Sequence, residues 1–110
     1  MAQNFRNYLT RETGTSAVDA LGGAANSYDT LISVRMANIT TSTIAVDVYL
    51  RRSSANYYLI KNASIVSGGS LELIAGGSKI VHASGDQLYV ISDTASSLDT
   101  VVGAVDAIST

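Results

Sequence analysis

His82 is the only histidine in the chain, and it sits between Val81 and Ala83. Serine and aspartate are plentiful, so composition alone permits a Ser-His-Asp set, but no nucleophile elbow or comparable motif accompanies the histidine. Its position mid-strand, with no such motif, reads as a structural or exposed histidine rather than a catalytic one. A metal site needs several well-spaced ligands, which one histidine and scattered aspartates do not supply. Asp93, Asp99 and Asp106 lack the spacing of a calcium loop. Gly76-Gly77-Ser78-Lys79 does not match the phosphate loop G-x-x-x-x-G-K-S/T, and it reads as a hairpin turn. Arg51-Arg52 is the one basic pair. It reads as the solvated end of a hairpin, with contact to phosphate or to an acidic neighbour as the functional alternative. Tyr49, Tyr57, Tyr58 and Tyr89 form a candidate ligand face, since aromatic rings stack on sugars and their hydroxyls hydrogen-bond. The ordinary alternative is half-buried strand tyrosines. Asn38-Ile39-Thr40 and Asn62-Ala63-Ser64 fit the glycosylation pattern by chance. These residues assign no catalytic group, no cofactor and no metal, and the chain is read as a non-enzyme.

The stretch from Thr43 to Lys61 organises the elements around these residues. Ile44, Val46, Val48 and Leu50 recur at every second position, the period of a half-buried strand. Arg51–Asn56 suits a turn, and Tyr57–Lys61 a return strand, so the pair reads as an antiparallel hairpin. Upstream, residues 1–16 are an N-terminal arm or first strand, and residues 17–110 a single domain. Ala17–Leu21 is a short strand or a helical turn. Tyr28–Ile39 is a strand with Ile32, Val34 and Met36 on one face. Downstream, Asn62–Gly69 reads as a loop. Strands follow over Leu71–Ala75, Lys79–Ala83, Gln87–Ile91 and Leu98–Ile108. Turn signals recur roughly every 8–13 residues with no helical stretch between them, which predicts an all-β antiparallel sandwich or jelly-roll-like barrel of about seven to nine strands.

The 110 residues suit one domain, able to bury roughly two-thirds of its unfolded surface. Hydrophobic residues make up 46% and charged residues only 15%, which excludes disorder and leaves neutral surface for association. Cysteine and proline are absent, which removes disulfides, thiolate metal sites and slow prolyl isomerisation. The opening M-A-Q-N-F-R-N-Y lacks the apolar core of a signal peptide, and no apolar run approaches the ~20 residues of a membrane helix. Synthesis in a cytoplasm, without membrane partners, is the expectation. The net charge of −2 gives no general drive toward nucleic acid. Six bases and four acids in residues 1–61 against one base and five acids in residues 62–110 make the halves +2 and −4.

Three stretches carry a family likeness. They are M-A-Q-N-F-R-N-Y-L-T-R-E-T-G-T-S at the start, A-N-I-T-T-S-T-I-A-V-D-V-Y-L with Y-Y-L-I-K-N-A in the middle, and G-G-S-L-E-L-I-A-G-G-S-K-I-V-H-A-S-G-D-Q-L-Y-V-I-S-D-T-A-S-S-L-D-T-V-V at the end. Through them the chain resembles small virion structural proteins of tailed bacteriophages, especially phages of marine bacteria and cyanobacteria. The resemblance implies a β-sandwich subunit of the particle, with other virion proteins as partners, and transfers no catalytic residue. A capsid decoration or cement protein is the leading expectation. A neck or tail component, or a carbohydrate- or receptor-binding module, is the alternative.

The ends of the chain supply the candidate subunit interface. Phe5, Tyr8 and Leu9 are apolar groups near a terminus, where small domains rarely complete a core. The last strand is apolar on both faces, with Val101 and Val105 on one and Val102, Ala104 and Ile108 on the other. Such a strand is either central in the fold or pressed against another chain, here a copy of the same chain in a homo-oligomer.

Overall fold

The computed structural model describes residues 4–22, 29–74 and 79–106. They form nine strands, β1 (Asn4–Thr13), β2 (Val18–Asp19), β3 (Asp29–Asn38), β4 (Ile44–Arg52), β5 (Ala55–Ile65), β6 (Ser70–Glu72), β7 (Ile80–His82), β8 (Gln87–Ser92) and β9 (Leu98–Asp106). The first sheet has the order β1-β9-β3-β6, with β7 also paired to β3, and the second has the order β2-β8-β4-β5. Every strand pair is antiparallel. The pairing is that of one long hairpin rolled up. From the β4–β5 tip, β3 meets β6 and β7, β2 meets β8, and β1 meets β9. Rolling sets β9 beside β3 and β8 beside β4, which gives two packed sheets with jelly-roll connectivity.

Alternation puts the core between the sheets. Leu98, Val102 and Ala104 of β9 point inward with Leu31, Val34 and Met36 of β3, against Ile44, Val46 and Val48 of β4 and Leu88 and Val90 of β8. Burying each such side chain contributes about 1.5–3 kcal/mol, which is why these positions carry branched aliphatic residues. β9 is therefore central, and β1 pairs with it from Asn4↔Asp106 to Thr13↔Leu98. The first sixteen residues thus supply an edge strand of the chain's own sheet.

Irregularities shift several positions from their sequence reading. A register shift between Leu31 and Ser33 hands the core position to Leu31 and turns Ile32 outward, opposite Gly103. The reading of Asn62–Gly69 as loop is corrected over its first half, because β5 continues to Ile65. Ala63 and Ile65 face Val46 and Ile44, whereas Ile60 faces Val48, so the inward spacing of three then two breaks the period. The β4–β5 turn is only Ser53-Ser54, both with positive φ (53° and 65°), as a two-residue hairpin turn of the primed kind demands.

Two bulges share one construction. Asp99 of β9 faces Arg11 and Glu12 of β1, and Asp47 of β4 faces Lys61 and Asn62 of β5. Glu12 and Asn62 have φ of 53° and 55°, and each donates its N–H to the facing Asp Oδ1, at 2.9 and 2.7 Å. The carboxylate replaces the ladder bond lost by the extra residue. Asn38 performs a related task. It is buried, its amide nitrogen donates to the carbonyls of Ser42 (2.7 Å), Ile65 (2.9 Å) and Val66 (3.2 Å), and its Oδ1 accepts from Thr40 N–H (2.9 Å). In the folded chain this glycosylation match is a structural amide.

Candidate functional site

Register places the side chains of each outer face in rows. On the first sheet, Phe5 faces Val105, Val105 faces Thr30 and Thr30 faces Val81, a row that crosses four strands. The next outward row is Asn7, Gly103 and Ser33. Beyond it come Leu9, Val101, Arg35 and Glu72. Phe5 is 81% exposed and Leu9 71%, the two most exposed large hydrophobic residues described, and Val81, Val101 and Ile32 are exposed beside them. The third row ends in polar chemistry. Glu72 accepts from Ser33 Oγ (2.7 Å) and from the N–H groups of Val34 (2.9 Å) and Ile74 (3.1 Å), with Arg35 Nε at 3.7 Å. Burial pushes its carboxyl up, but the hydrogen bonds from Ser33, Val34 and Ile74 outweigh that and hold it below the ordinary value. Near the β1 bulge, Leu9, Thr10, Arg11, Asp99, Thr100 and Val101 line an open groove of about 310 Å³.

The seven end residues singled out from sequence do not share one surface. Phe5, Leu9, Val101 and Val105 lie together on this outer face. Val102 is completely buried and Tyr8, its β1 partner, packs on the core from the inner side. Strand alternation forces this, since neighbours in a strand point to opposite faces. Ile108 lies outside the described residues. Ile32 and Val81 belong to the same outer face. The consecutive pair Leu31-Ile32 was the available signal for the first, because only one of two adjacent apolar residues can face the core.

On the second sheet the outer row is Tyr58, Tyr49, Tyr89 and Asp19. The Tyr49 ring lies 5.0 Å from that of Tyr58 and 5.6 Å from that of Tyr89, centroid to centroid, and Lys61 Nζ sits 4.5 Å above the Tyr58 ring. Flanked on both sides, Tyr49 is only 8% exposed although it points outward. Burial, then Tyr58, pushes its phenol above the ordinary value. Three of the four candidate ligand tyrosines thus form one aromatic strip. Tyr57 does not join it. It faces Leu50 from the other side of β5 and, with Leu50, Arg52 and Asp86, lines an open cleft of about 220 Å³ at the end of the sandwich.

That end holds the remaining candidates. Arg52 donates to Asp86 through Nε (2.6 Å) and an Nη (2.9 Å), a bidentate pair in which the carboxylate is buried. Its hydrogen bond holds the Asp86 carboxyl below the ordinary value. An acidic neighbour, 34 residues away and invisible to local reading, is therefore what Arg52 meets. His82 lies fully buried on β7, opposite Asp29. Burial lowers its pKa, against the opposing pull of Asp29, Asp86 and Asp19. Neither ring nitrogen has a hydrogen-bond partner among the described residues. No group of three or more His, Asp or Glu side chains among the described residues is arranged to hold a metal ion. Gly76, Gly77 and Ser78 lie outside the described residues. No family model matches this chain, and no curated protein matches it.

Proposed function

We propose that this chain is a non-enzymatic structural subunit of a tailed-phage virion, a capsid decoration or cement protein held on the particle and against its own copies by apolar contacts. The observation that carries the reading is the outer face of the first sheet. Phe5 and Leu9 stand largely exposed, and neither belongs to the buried core of the same domain. A face of that kind is characteristic of a surface that another protein covers. The resemblance in the three quoted stretches gives the class of particle, and jelly-roll connectivity recurs in viral capsid domains as a fold-level analogy. Symmetry multiplies weak contacts, so modest affinity per subunit is enough.

The test is imaging of purified virions with a labelled chain. Label spread over the capsid shell supports decoration, label confined to one vertex or below it assigns a neck or tail position, and label absent from particles overturns the reading. A second reading, a carbohydrate-binding module on the particle, is favoured by the Tyr58–Tyr49–Tyr89 strip. A glycan array with the isolated chain tests it. Specific binding lost in folded Tyr58→Ala supports this reading, and no binding to any glycan removes it.

A further inference from the structure

We infer that the free edge of β1 pairs with the same edge of a second copy, antiparallel, about a two-fold axis passing beside Asn7 and normal to the sheet. Each sheet has strand ends that could template another chain, and most are blunted. β2 is two residues long, and β6 and β7 are three each. β5 is long, but two register shifts, one of them the Lys61-Asn62 bulge, interrupt it. Short, bulged or lysine-bearing edges resist pairing. β1 is the exception. From Asn4 to Thr10 its register is unbroken, it holds no proline or lysine, and among the described residues no strand pairs with its other side. The bulge at Arg11-Glu12 limits the regular edge to those seven residues.

The side chains select the register. A two-fold axis normal to the sheet pairs residues that share a face. Centring it on Asn7 uses the whole of Asn4–Thr10, and sets Phe5 against Leu9 of the second copy and Leu9 against its Phe5. The exposed apolar rows of the two outer faces then run on into each other. On the opposite side of the strand, Arg6 faces the second copy's Tyr8, a cation beside an aromatic ring. Centring on Arg6 instead would set two guanidiniums directly opposite, and centring on Tyr8 would set Phe5 against Arg11. Charge and apolar match therefore agree on Asn7. The product is one continuous sheet made from the first sheets of two sandwiches, a closed isologous dimer.

The chain's lack of cysteine makes the register directly testable. Residues facing each other across an antiparallel pair have Cβ atoms about 4.5–5.5 Å apart, close to the geometry of a disulfide. Asn7→Cys is expected to crosslink to itself under mild oxidation. Phe5→Cys alone is expected not to, because its own image lies four residues along the strand, but it is expected to crosslink to a Leu9→Cys copy. In sedimentation, Leu9→Lys is expected to weaken dimerisation by about tenfold or more. Its side chain is solvent-exposed in the monomer, so the fold survives and circular dichroism stays unchanged. A wild-type chain that stays monomeric at every concentration, or Asn7→Cys crosslinking no better than Phe5→Cys, overturns the pairing. The inference does not rest on the virion reading. A monomeric free chain that still joins particles refutes the dimer and leaves that reading standing.

Discussion

Phe5, Val105, Thr30 and Val81 cross the first sheet, and Tyr58, Tyr49, Tyr89 and Asp19 cross the second. Both rows lie on outer faces, both run over four strands, and both are built mainly from residues with strong strand preference. They end differently. The tyrosines shield one another and the strip is bordered by Lys61 and Asp19, so its central ring is 8% exposed. In the first row Phe5 has one paired neighbour and an open edge, and stays 81% exposed. Aromatic content is therefore a poor guide to where this molecule is unfinished. A side chain with neighbours on both sides stabilises its own domain, and one at an open edge is left for association.

This contrast predicts a ranking of stability losses in chemical denaturation. Leu31→Ala, on the inner face of the first sheet, is expected to cost about 4 kcal/mol through a cavity in the complete core. Tyr49→Ala, on the outer face of the second, is expected to cost about 3 kcal/mol, because the ring is buried and stacked on two others. Tyr58→Ala, with one ring partner, is expected to cost about 1 kcal/mol. Equal losses at Tyr49 and Tyr58 would break the argument from neighbours.

At the end where the sheets meet, Arg52→Ala strands the buried Asp86 carboxylate, leaving it, among the described residues, the Ala83 N–H at 3.3 Å. A loss of about 1–3 kcal/mol at neutral pH is expected, toward the lower end because the guanidinium is partly solvated. It should shrink in acid. Asp86 and Glu72 are held below their ordinary values of 3.8 and 4.5, so their contribution is complete above those values and is lost as pH falls through the lowered ones. His82 opens an earlier step. Below its ordinary value of 6.5 the unfolded chain takes up a proton that the buried imidazole resists, so stability declines as pH falls and is unaffected above it. His82→Leu should flatten that first step in a pH series of midpoints. The smallest effect is at Leu9→Ala, which should change monomer stability by no more than about 0.5 kcal/mol. A large loss there would mean that the exposed row already supports the fold.

The strands were legible because period two survives in β4, β8 and β9, and in β3 from Val34 onward. Wherever the chain inserts one residue, the phase reverses and the sequence alone misassigns the faces. Ile32 turns outward for that reason, and the stretch Asn62–Ile65, read as loop, continues β5. No local signal marks these sites, since the residues at positive φ are Glu12 and Asn62 rather than glycine, and their support comes from Asp99 and Asp47 on other strands. The opposed orientation of Tyr57 and Tyr58 follows from adjacency. That Tyr58 joins Tyr49 and Tyr89 follows only from register. The apolar end residues were visible, but which of Val101 and Val102 faces solvent depends on which side of β9 the second sheet covers.

The insertion of β9 between β1 and β3 has a consequence for biosynthesis. Of the described strands β1 leaves the ribosome first, but its partner among them, β9, follows about ninety residues later, a very large sequence separation. Until β9 emerges, β1 and β3 have no common neighbour, and the first sheet lacks its middle. Folding of that sheet is therefore expected to wait for the last strand, and to be slow for a domain of this size. Nascent chains stalled with Leu98 still inside the exit tunnel should be digested readily by protease. Chains extended by a linker until Asp106 has cleared the tunnel should become resistant. Resistance before β9 is exposed would mean that the second sheet alone holds the early structure.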